Sequence, residues 1–469
     1  MLKVLSDGQL ERIHSKAIHV LEKVGVRYQS EETGQVFASS GATIDEKARM
    51  VRIPEHLVNE ALKKTPSHFT LGAFNQRNSI ELREGRFYTR PSTGFSKVID
   101  SENGMAREGT SKDSVNISRL IQQLDNISIN STHVFPCDVH QEIKDVYSFS
   151  LALENSDKHV VISPLSKTNL RIASDIASVY ELESEPKERI LSALICPVSP
   201  LTLRDEVSVL CAKARIPAIV NSAPILGVAS PVTLAGTLVL QSAESLATIT
   251  LIQLVQPGSS VILGNKSTPM DMKHGTPLSG TVEIGLLSAA AVQVAKFYNI
   301  PSEGFGTRTD SKTLDEQAGI ERIFVGLLPA LAGATIDSGA GAVEIVATFS
   351  LEQLVIDDEV YGMTRRLLAG VEVDEQRLAF DEIRDVGPGG SFLGKEHTRR
   401  FYSDEHYQHR LFDKRSRKDW ENAGFKDVRQ VARERVKKLL SEYKPSLQLG
   451  QKGKEKVREI LKEAARLYT

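Results

Sequence analysis

The sequence predicts a (β/α)8 barrel, and three observations support this fold class. From about residue 110, short apolar runs alternate with longer stretches of helical pattern, as in proteins built from repeated strand–helix units. Seven candidate strands can be counted in this alternation, and an eighth fits within residues 87–99. The alternative is a doubly wound open sheet, but no GxGxxG phosphate loop supports a dinucleotide site. A closed barrel is therefore the simplest arrangement.

The predicted elements follow in chain order. The candidate strands cover residues 127–135, 159–163, 191–198, 218–221, 261–264, 303–306 and 335–338. Helical stretches between them include residues 168–180, 203–214, 278–297 and 315–332. After the strand that ends near residue 220, Ser230 and Pro231 suit the N-cap and first position of a long helix, which Pro257 and Gly258 would end.

The two ends of the chain differ in composition from this central part. Residues 1–108 are predicted to be a helical and β extension, with a helical stripe at 10–24 and an Asn103-Gly104 hairpin turn. Residues 109–400 would form the barrel. Residues 401–469 are charged and helical, which predicts a tail that covers the barrel or a dimer surface, or contacts another protein.

Composition narrows the class of protein. The chain has 469 residues, of which 41% are hydrophobic and 25% charged, so it can bury a large core. A net charge of −2 gives no general attraction to nucleic acid. Three scattered cysteines indicate neither a disulfide framework nor a metal knuckle, so a reducing, cytoplasmic location is expected. We expect neither a signal peptide nor a membrane span.

Several separated segments resemble one enzyme superfamily. They are the stretch 221–264, the motif TDSKTLDEQAGIER at 309–322, the motifs DSGAGAVE and SLEQLVIDDEVYGM within 337–363, and GPGGSFLGKEHTRRFY at 387–402. Their order resembles the trimethylamine:corrinoid methyltransferase superfamily, in its branch without pyrrolysine. That branch includes enzymes that act on glycine betaine, proline betaine and carnitine. The resemblance implies a TIM barrel that moves a methyl group from a quaternary amine to the Co(I) of a separate corrinoid protein.

The resemblance also implies how the work is divided between the proteins. The corrinoid belongs to the partner protein, so this chain would bind no cofactor tightly, and a homo-oligomer is expected. In pyrrolysine-containing relatives the unusual residue falls near 337–344, where this sequence has only small residues, Val343 and Glu344. A quaternary ammonium already carries a neutral leaving group, so binding and orientation could suffice.

Candidate site residues lie at predicted strand ends, where barrels place their chemistry. Asp138 either meets a cationic substrate or holds a loop, and Glu344 either balances the ammonium charge or forms a structural ion pair; both are proposed as catalytic. Asn221 and Ser222 could bind a carboxylate, although Asn221 could equally close its own turn. The remaining proposed substrate-binding residues are four aromatic residues, any of which could instead be core, and one glutamine: Phe95, Phe305, Phe349, Phe392 and Gln317.

Two other functions remain open at this stage. Cys137, His140 and Cys196 could hold zinc in a methyltransferase for another methyl donor, but their spacing is only a fragment of a zinc pattern. We therefore predict no metal site. The other alternative is a non-catalytic barrel that binds a betaine. The loop 387–394, rich in glycine, is a candidate lid.

Overall fold

A computed structural model describes residues 2–184, 186–445 and 448–468, and eight strands in it form one sheet. The strands are β1 (Tyr88–Pro91), β2 (Asn130–Ser131), β3 (Val160–Ile162), β4 (Leu191–Ile195), β5 (Ala218–Ser222), β6 (Val261–Asn265), β7 (Ser302–Phe305) and β8 (Ile336–Ala340). Neighbours from β2 to β8 pair in parallel, and β8 pairs in parallel with β1.

Backbone hydrogen bonds close this sheet into a barrel. The amides of Ser128 and Ile129, just before β2, donate to the Thr89 carbonyl of β1 at 2.9 and 3.1 Å. The predicted (β/α)8 barrel is confirmed, and each of the seven predicted runs overlaps a barrel strand. The eighth strand, β1, lies within 87–99 and therefore inside the segment 1–108 that the sequence predicts as an extension. The exact domain bounds stay a prediction.

One helix follows each strand. These helices are α1 (Ser111–Gln123), α2 (Lys144–Asn155), α3 (Lys167–Ser184), α4 (Asp205–Lys213), α5 (Leu234–Val255), α6 (Val282–Phe297), α7 (Glu316–Ala332) and α8 (Leu351–Ala369). The predicted start of α5 is wrong, because its N-cap is Thr233. Ser230 instead ends a tight turn that begins at Ile225, and its hydroxyl lies 2.8 Å from that of Thr237.

Helix α5 is buried over most of its length because protein surrounds it. Among the described residues, this helix alone is long and apolar enough to cross a membrane, and 78% of its most apolar stretch is buried inside the protein. The amino-terminal helices Asp7–Lys23, Glu31–Ser39 and Glu55–Lys64 pack against it. Strands Val26–Arg27, Thr43–Asp45 and Met50–Arg52 join these helices as a small antiparallel sheet. The extension thus covers one side of the barrel.

A hairpin closes the amino-terminal end of the barrel. Its strands, Phe69–Leu71 and Ile80–Leu82, are antiparallel and joined through the 3-10 turn Gln76–Asn78. Leu71 and Leu82 are fully buried in one apolar cluster with residues from the amino-terminal half of the strands, including Ile219 of β5 and Ile262 of β6. The lower part of the barrel is therefore a packed core, and the polar residues lie at the carboxyl end of the strands.

Short elements border the carboxyl end. Lys97–Ile99 and Ala106–Glu108 form the predicted Asn-Gly hairpin, and Lys97–Ile99 also pairs with Thr348–Phe349, which in turn pairs with Ala342–Val343. Met270–Asp271 pairs with Thr276–Pro277 after β6. Two 3-10 turns, Gln141–Ile143 and Glu344–Val346, lie in the loops after β2 and β8.

The carboxyl-terminal tail lies over the helices of the barrel. After α8 the helices are Glu375–Leu378, Phe380–Val386, Glu396–Glu405, Arg417–Asn422, Val428–Glu442 and Gln451–Arg466. Val428–Glu442 packs on α8 and α1, and Gln451–Arg466 packs on α3. The tail thus contains helices that cover barrel surface, one of the arrangements that the sequence predicts for it.

Candidate functional site

A buried ion pair forms the floor of the barrel mouth. Arg90 of β1 donates from Nε and Nη2 to the two carboxylate oxygens of Glu303 on β7, at 2.7 and 2.8 Å. Asn221 of β5 donates its amide to Glu303 Oε1 at 2.8 Å. Arg90 and Asn221 are fully buried and Glu303 is 2% exposed, so this network has the strength of charge-assisted bonds away from water.

Strand alternation explains why these side chains meet. Ile219 packs into the lower core, so Asn221, two residues later, lies on the same inner face of β5. Ile262 also packs into the lower core, so Gly264, two residues later, lies on the inner face of β6. A Cβ atom at Gly264 would lie 1.8 Å from Asn221 Oδ1, so glycine leaves the room that the Asn221 side chain occupies.

The network separates the protonation states of two carboxyl groups. Burial alone would raise the pKa of Glu303, but Arg90, Lys266 and the Asn221 amide together lower it below its usual value. Burial, with the negative charge of Glu303, raises the pKa of Asp337 on β8 well above its usual value. The mouth therefore favours the ionised form of Glu303, whereas the surroundings of the fully enclosed Asp337 favour its protonated form.

Two further cations lie above the floor. Arg308, three residues after β7, is 2% exposed and holds its guanidinium carbon 3.7 Å from the centre of the Phe305 ring. Lys266 comes directly after β6. Because it is two residues after Gly264, its side chain lies on the same inner face as Ile262 and Gly264. Burial and the positive charge of Arg90 lower the pKa of Arg308 to about 9 and that of Lys266 to about 8. Both groups remain charged at neutral pH.

A second buried ion pair fixes the loop after β8. Arg322 of α7 donates to both carboxylate oxygens of Asp357 on α8 at 2.9 and 2.8 Å, and also to the Ala342 carbonyl. Asp357 accepts a bond of 2.7 Å from the Gly341 amide. Arg322 and Asp357 come from two motifs of the resemblance that lie far apart in sequence. Both motifs therefore converge on this loop.

The same loop contains strained backbone. Glu344, Ile345 and Val346 have φ angles of 51°, 61° and 77°, in the left-handed region that residues other than glycine rarely adopt. The Glu344 amide donates to Ser311 O at 3.0 Å and the Ile345 amide to Thr309 O at 3.2 Å, so the loop after β7 holds this conformation. Strain of this kind concentrates at functional sites.

The structure brings two of the candidate aromatic residues together. The rings of Phe95 and Phe349 meet edge to face, with centroids 5.2 Å apart, beside the loops after β1 and β8. Both rings are buried. Phe305 is not part of this pair, because the guanidinium of Arg308 covers its ring. Phe392 is 42% exposed and lies in the tail. Further along the tail, Glu405 accepts hydrogen bonds from Arg366, near the carboxyl end of α8.

The polar candidates separate into different environments. Asn221 belongs to the floor of the mouth, whereas Ser222 donates to Glu244 of α5, on the outer side of the strand. Glu344 accepts a bond of 2.7 Å from Thr348 in the strained loop. The other two are exposed: Gln317 donates to Glu321 on α7, and Asp138 accepts bonds from the Ser111 amide and hydroxyl at the start of α1.

The candidate zinc ligands do not form a cluster. Cys137 and His140 are exposed in the loop after β2, and Cys196 follows β4. Within the described ranges, no group of three or more histidine, cysteine, aspartate or glutamate side chains could hold a metal ion.

The sequence interpretation missed most of the mouth. Arg90, Glu303, Lys266 and Arg308 were not among the candidates. A charged residue on the inner face of a barrel strand, such as Arg90 or Glu303, breaks the apolar pattern of the core and was the available signal.

Comparison with known proteins identifies the relatives of this chain. The family model for trimethylamine methyltransferase (MTTB) matches residues 1–464. A trimethylamine methyltransferase of Desulfitobacterium hafniense is 34% identical over 99% of this chain and 94% of that relative, and one of Methanosarcina barkeri is 37% identical over 94% and 91%. A glycine betaine methyltransferase of Desulfitobacterium hafniense is 31% identical over 94% and 93%.

Among solved structures, a dihydropteroate synthase from Coxiella burnetii overlaps with a TM-score of 0.41 at 12% identity, over 64% of this chain and 99% of that chain. The fold assigned above does not depend on this overlap, because the strand pairing establishes it.

The barrel, with its polar mouth, and the relatives together define the class of protein: the chain is a (β/α)8-barrel methyltransferase. It belongs to the trimethylamine methyltransferase (MTTB) family, as the resemblance implied.

Proposed function

We propose that this methyltransferase moves a methyl group from a betaine-type quaternary amine to the Co(I) of a corrinoid carried by a separate protein. One observation carries the choice of donor: the barrel mouth holds three cations, Arg90, Arg308 and Lys266, against the single ionised carboxylate of Glu303. A betaine is a zwitterion, and its carboxylate complements this excess of positive charge. Trimethylamine has no anionic group to offer.

The proposed reaction needs little covalent chemistry from the protein. The bond between nitrogen and the methyl carbon breaks, its electron pair stays on nitrogen, and a neutral tertiary amine leaves without protonation. The corrinoid supplies the nucleophile. The chain binds the donor, aligns its methyl carbon with the mouth and excludes water. The small residues and Val343 in the loop after β8 are consistent with a donor that needs no covalent activation.

Three of the residues predicted from the sequence remain in this proposal. Phe95 and Phe349 lie beside the loops after β1 and β8, where aromatic rings can border an ammonium group. Asn221 orients Glu303 in the floor of the mouth. Asp138 and Gln317 have structural partners, and we assign them no contact with the donor.

Methyl transfer to free Co(I) cobalamin tests the proposal. The donors are glycine betaine, proline betaine, carnitine, choline, tetramethylammonium and trimethylamine, each offered alone. We expect methylation of cobalamin with at least one carboxylated donor, and a rate with trimethylamine close to the background without enzyme. Efficient transfer from trimethylamine with none from the three betaines would reject the proposed donor. Full activity after exhaustive chelation would support a reaction without zinc, and its loss would favour the zinc alternative.

A further inference from the structure

Two cations of the barrel mouth keep donor groups that no described protein group satisfies. The Arg308 guanidinium donates to the Ser92 hydroxyl, but its buried Nε has no partner. Among the described residues, none accepts a hydrogen bond from the Lys266 ammonium, and this side chain is only partly exposed. Buried donors of charged groups normally have partners, so the unpaired Nε of Arg308, with a second unpaired cation beside it, indicates a missing anion.

The one ionised carboxylate nearby does not meet this need. Arg90 already engages both oxygens of Glu303, and Asn221 binds one of them as well. Asp337 lies between Ile336 and Ser338, which face the inside of the barrel, so its carboxyl group is on the outer face of β8. Burial also raises the pKa of this group well above its usual value. Among the described residues, no carboxylate therefore accepts a hydrogen bond from Arg308 or from Lys266.

The two cations are also positioned to act together. Lys266 follows β6 and Arg308 follows β7, and these strands pair directly in the barrel. The Phe305 ring and the Ser92 hydroxyl fix the guanidinium on two sides. A planar group held in this way is preorganised for a carboxylate, because few of its rotamers are lost on binding.

We infer that Arg308 and Lys266 form the carboxylate subsite of the methyl donor and determine its specificity for betaines over amines that lack a carboxylate. This inference rests on the proposed function and adds the residues that select the donor. The ammonium end of the donor then lies away from the two cations, since like charges repel.

Equilibrium binding without any corrinoid tests the subsite. Isothermal titration calorimetry is performed with glycine betaine, proline betaine, carnitine and choline on the intact chain and on Lys266→Gln, Arg308→Lys and Arg308→Gln. We expect at least one carboxylated ligand to bind about tenfold or more tightly than choline. Lys266→Gln and Arg308→Gln should each weaken that ligand by roughly ten- to hundredfold and leave choline unchanged. Arg308→Lys, which keeps the charge but loses the planar fork, should fall between.

The matched control is Lys273→Gln, an exposed lysine of the hairpin after β6. It should bind every ligand as the unaltered chain does. Thermal unfolding identifies any variant that fails to fold. If Arg308→Gln is such a variant, Lys266→Gln decides alone, because this partly exposed side chain has no described hydrogen bond to lose.

Two results would overturn the subsite: choline binding as tightly as every carboxylated ligand, or folded Lys266→Gln with unchanged affinity for all of them. The methyl-transfer panel separates the two proposals. Transfer from a betaine combined with unaffected variants rejects only the subsite. Transfer from trimethylamine alone rejects the proposed donor itself.

Discussion

At the scale of single residues, Gly264 controls the geometry of the mouth. A Cβ atom there would meet Asn221 Oδ1 at 1.8 Å, so Gly264→Ala must displace the side chain that binds Glu303. We expect a loss of about 1–3 kcal/mol in the free energy of unfolding, as for other overpacked cores. Urea denaturation measures it. Asn221→Ala with Gly264→Ala should cost less than the sum of the single changes, and strict additivity would contradict the assigned clash.

The lowered pKa of Lys266 predicts how donor binding depends on pH. Burial and the charge of Arg90 lower its pKa to about 8, with Glu303, Cys196 and Arg308 as its other charged or titratable neighbours. The ammonium form binds a carboxylate, so affinity should be highest below pH 8 and fall as pH rises through that value. A plot of log Kd against pH should bend near 8 for the unaltered chain and lose this bend in Lys266→Gln. A persistent bend in that variant would assign the titration to another group.

At the scale of elements, the loops after β1 and β8 meet through Phe95 and Phe349. Phe95→Leu keeps bulk but removes a ring face, and a cation on such a face gains about 0.5–2 kcal/mol. The change should therefore weaken binding of the true donor roughly three- to thirtyfold, as measured by calorimetry. Phe380→Leu, at an exposed aromatic residue of the tail, is the control. Unchanged affinity in Phe95→Leu would remove this ring from the site.

Helices α7 and α8 hold the loop after β8 through the Arg322–Asp357 pair. Asp357→Asn leaves the buried Arg322 without its counter-charge, which typically costs about 3–5 kcal/mol of stability. Urea denaturation should show this loss, and adding Arg322→Met should recover part of it. Glu396→Gln, in the exposed pair with Arg399, should change little. An equally small effect of Asp357→Asn would mean that the loop does not depend on the pair.

At the scale of the whole molecule, a corrinoid protein would have to approach the carboxyl ends of the strands. The hairpin of Phe69–Leu71 and Ile80–Leu82 closes the other end, while the extension and tail cover the sides. The enzyme need not hold corrinoid itself, so we expect the purified chain to be colourless and still active with added Co(I) cobalamin. Stoichiometric corrinoid retained by this chain would contradict the proposed division of labour.

Cross-linking tests the docking face. Cys137 is exposed in the loop after β2, at the carboxyl end, and Glu84 is exposed just before β1, at the opposite end. A thiol cross-linker should join Cys137 to the corrinoid protein. It should not join Glu84→Cys in a Cys137→Ser background. The reverse pattern would mean that the partner docks at the amino-terminal end of the strands and would contradict the proposed docking face.

The sequence alone determined the barrel, its order of strands and the family resemblance. The reason is that apolar periodicity and turn residues are local signals. Each predicted run overlapped its strand, whereas the start of α5 was misplaced because Ser230 also suits the turn that it ends.

The arrangement of the site was decided only by the tertiary structure. Arg90 and Glu303 are 213 positions apart, and Arg322 and Asp357 belong to different helices. Whether a charged residue is paired, neutralised or left free depends on which strands close beside it and how far water is excluded. Barrel closure therefore decided what composition could not show: that Glu303 is already paired, that burial raises the pKa of Asp337, and that Arg308 and Lys266 keep free donors in the mouth.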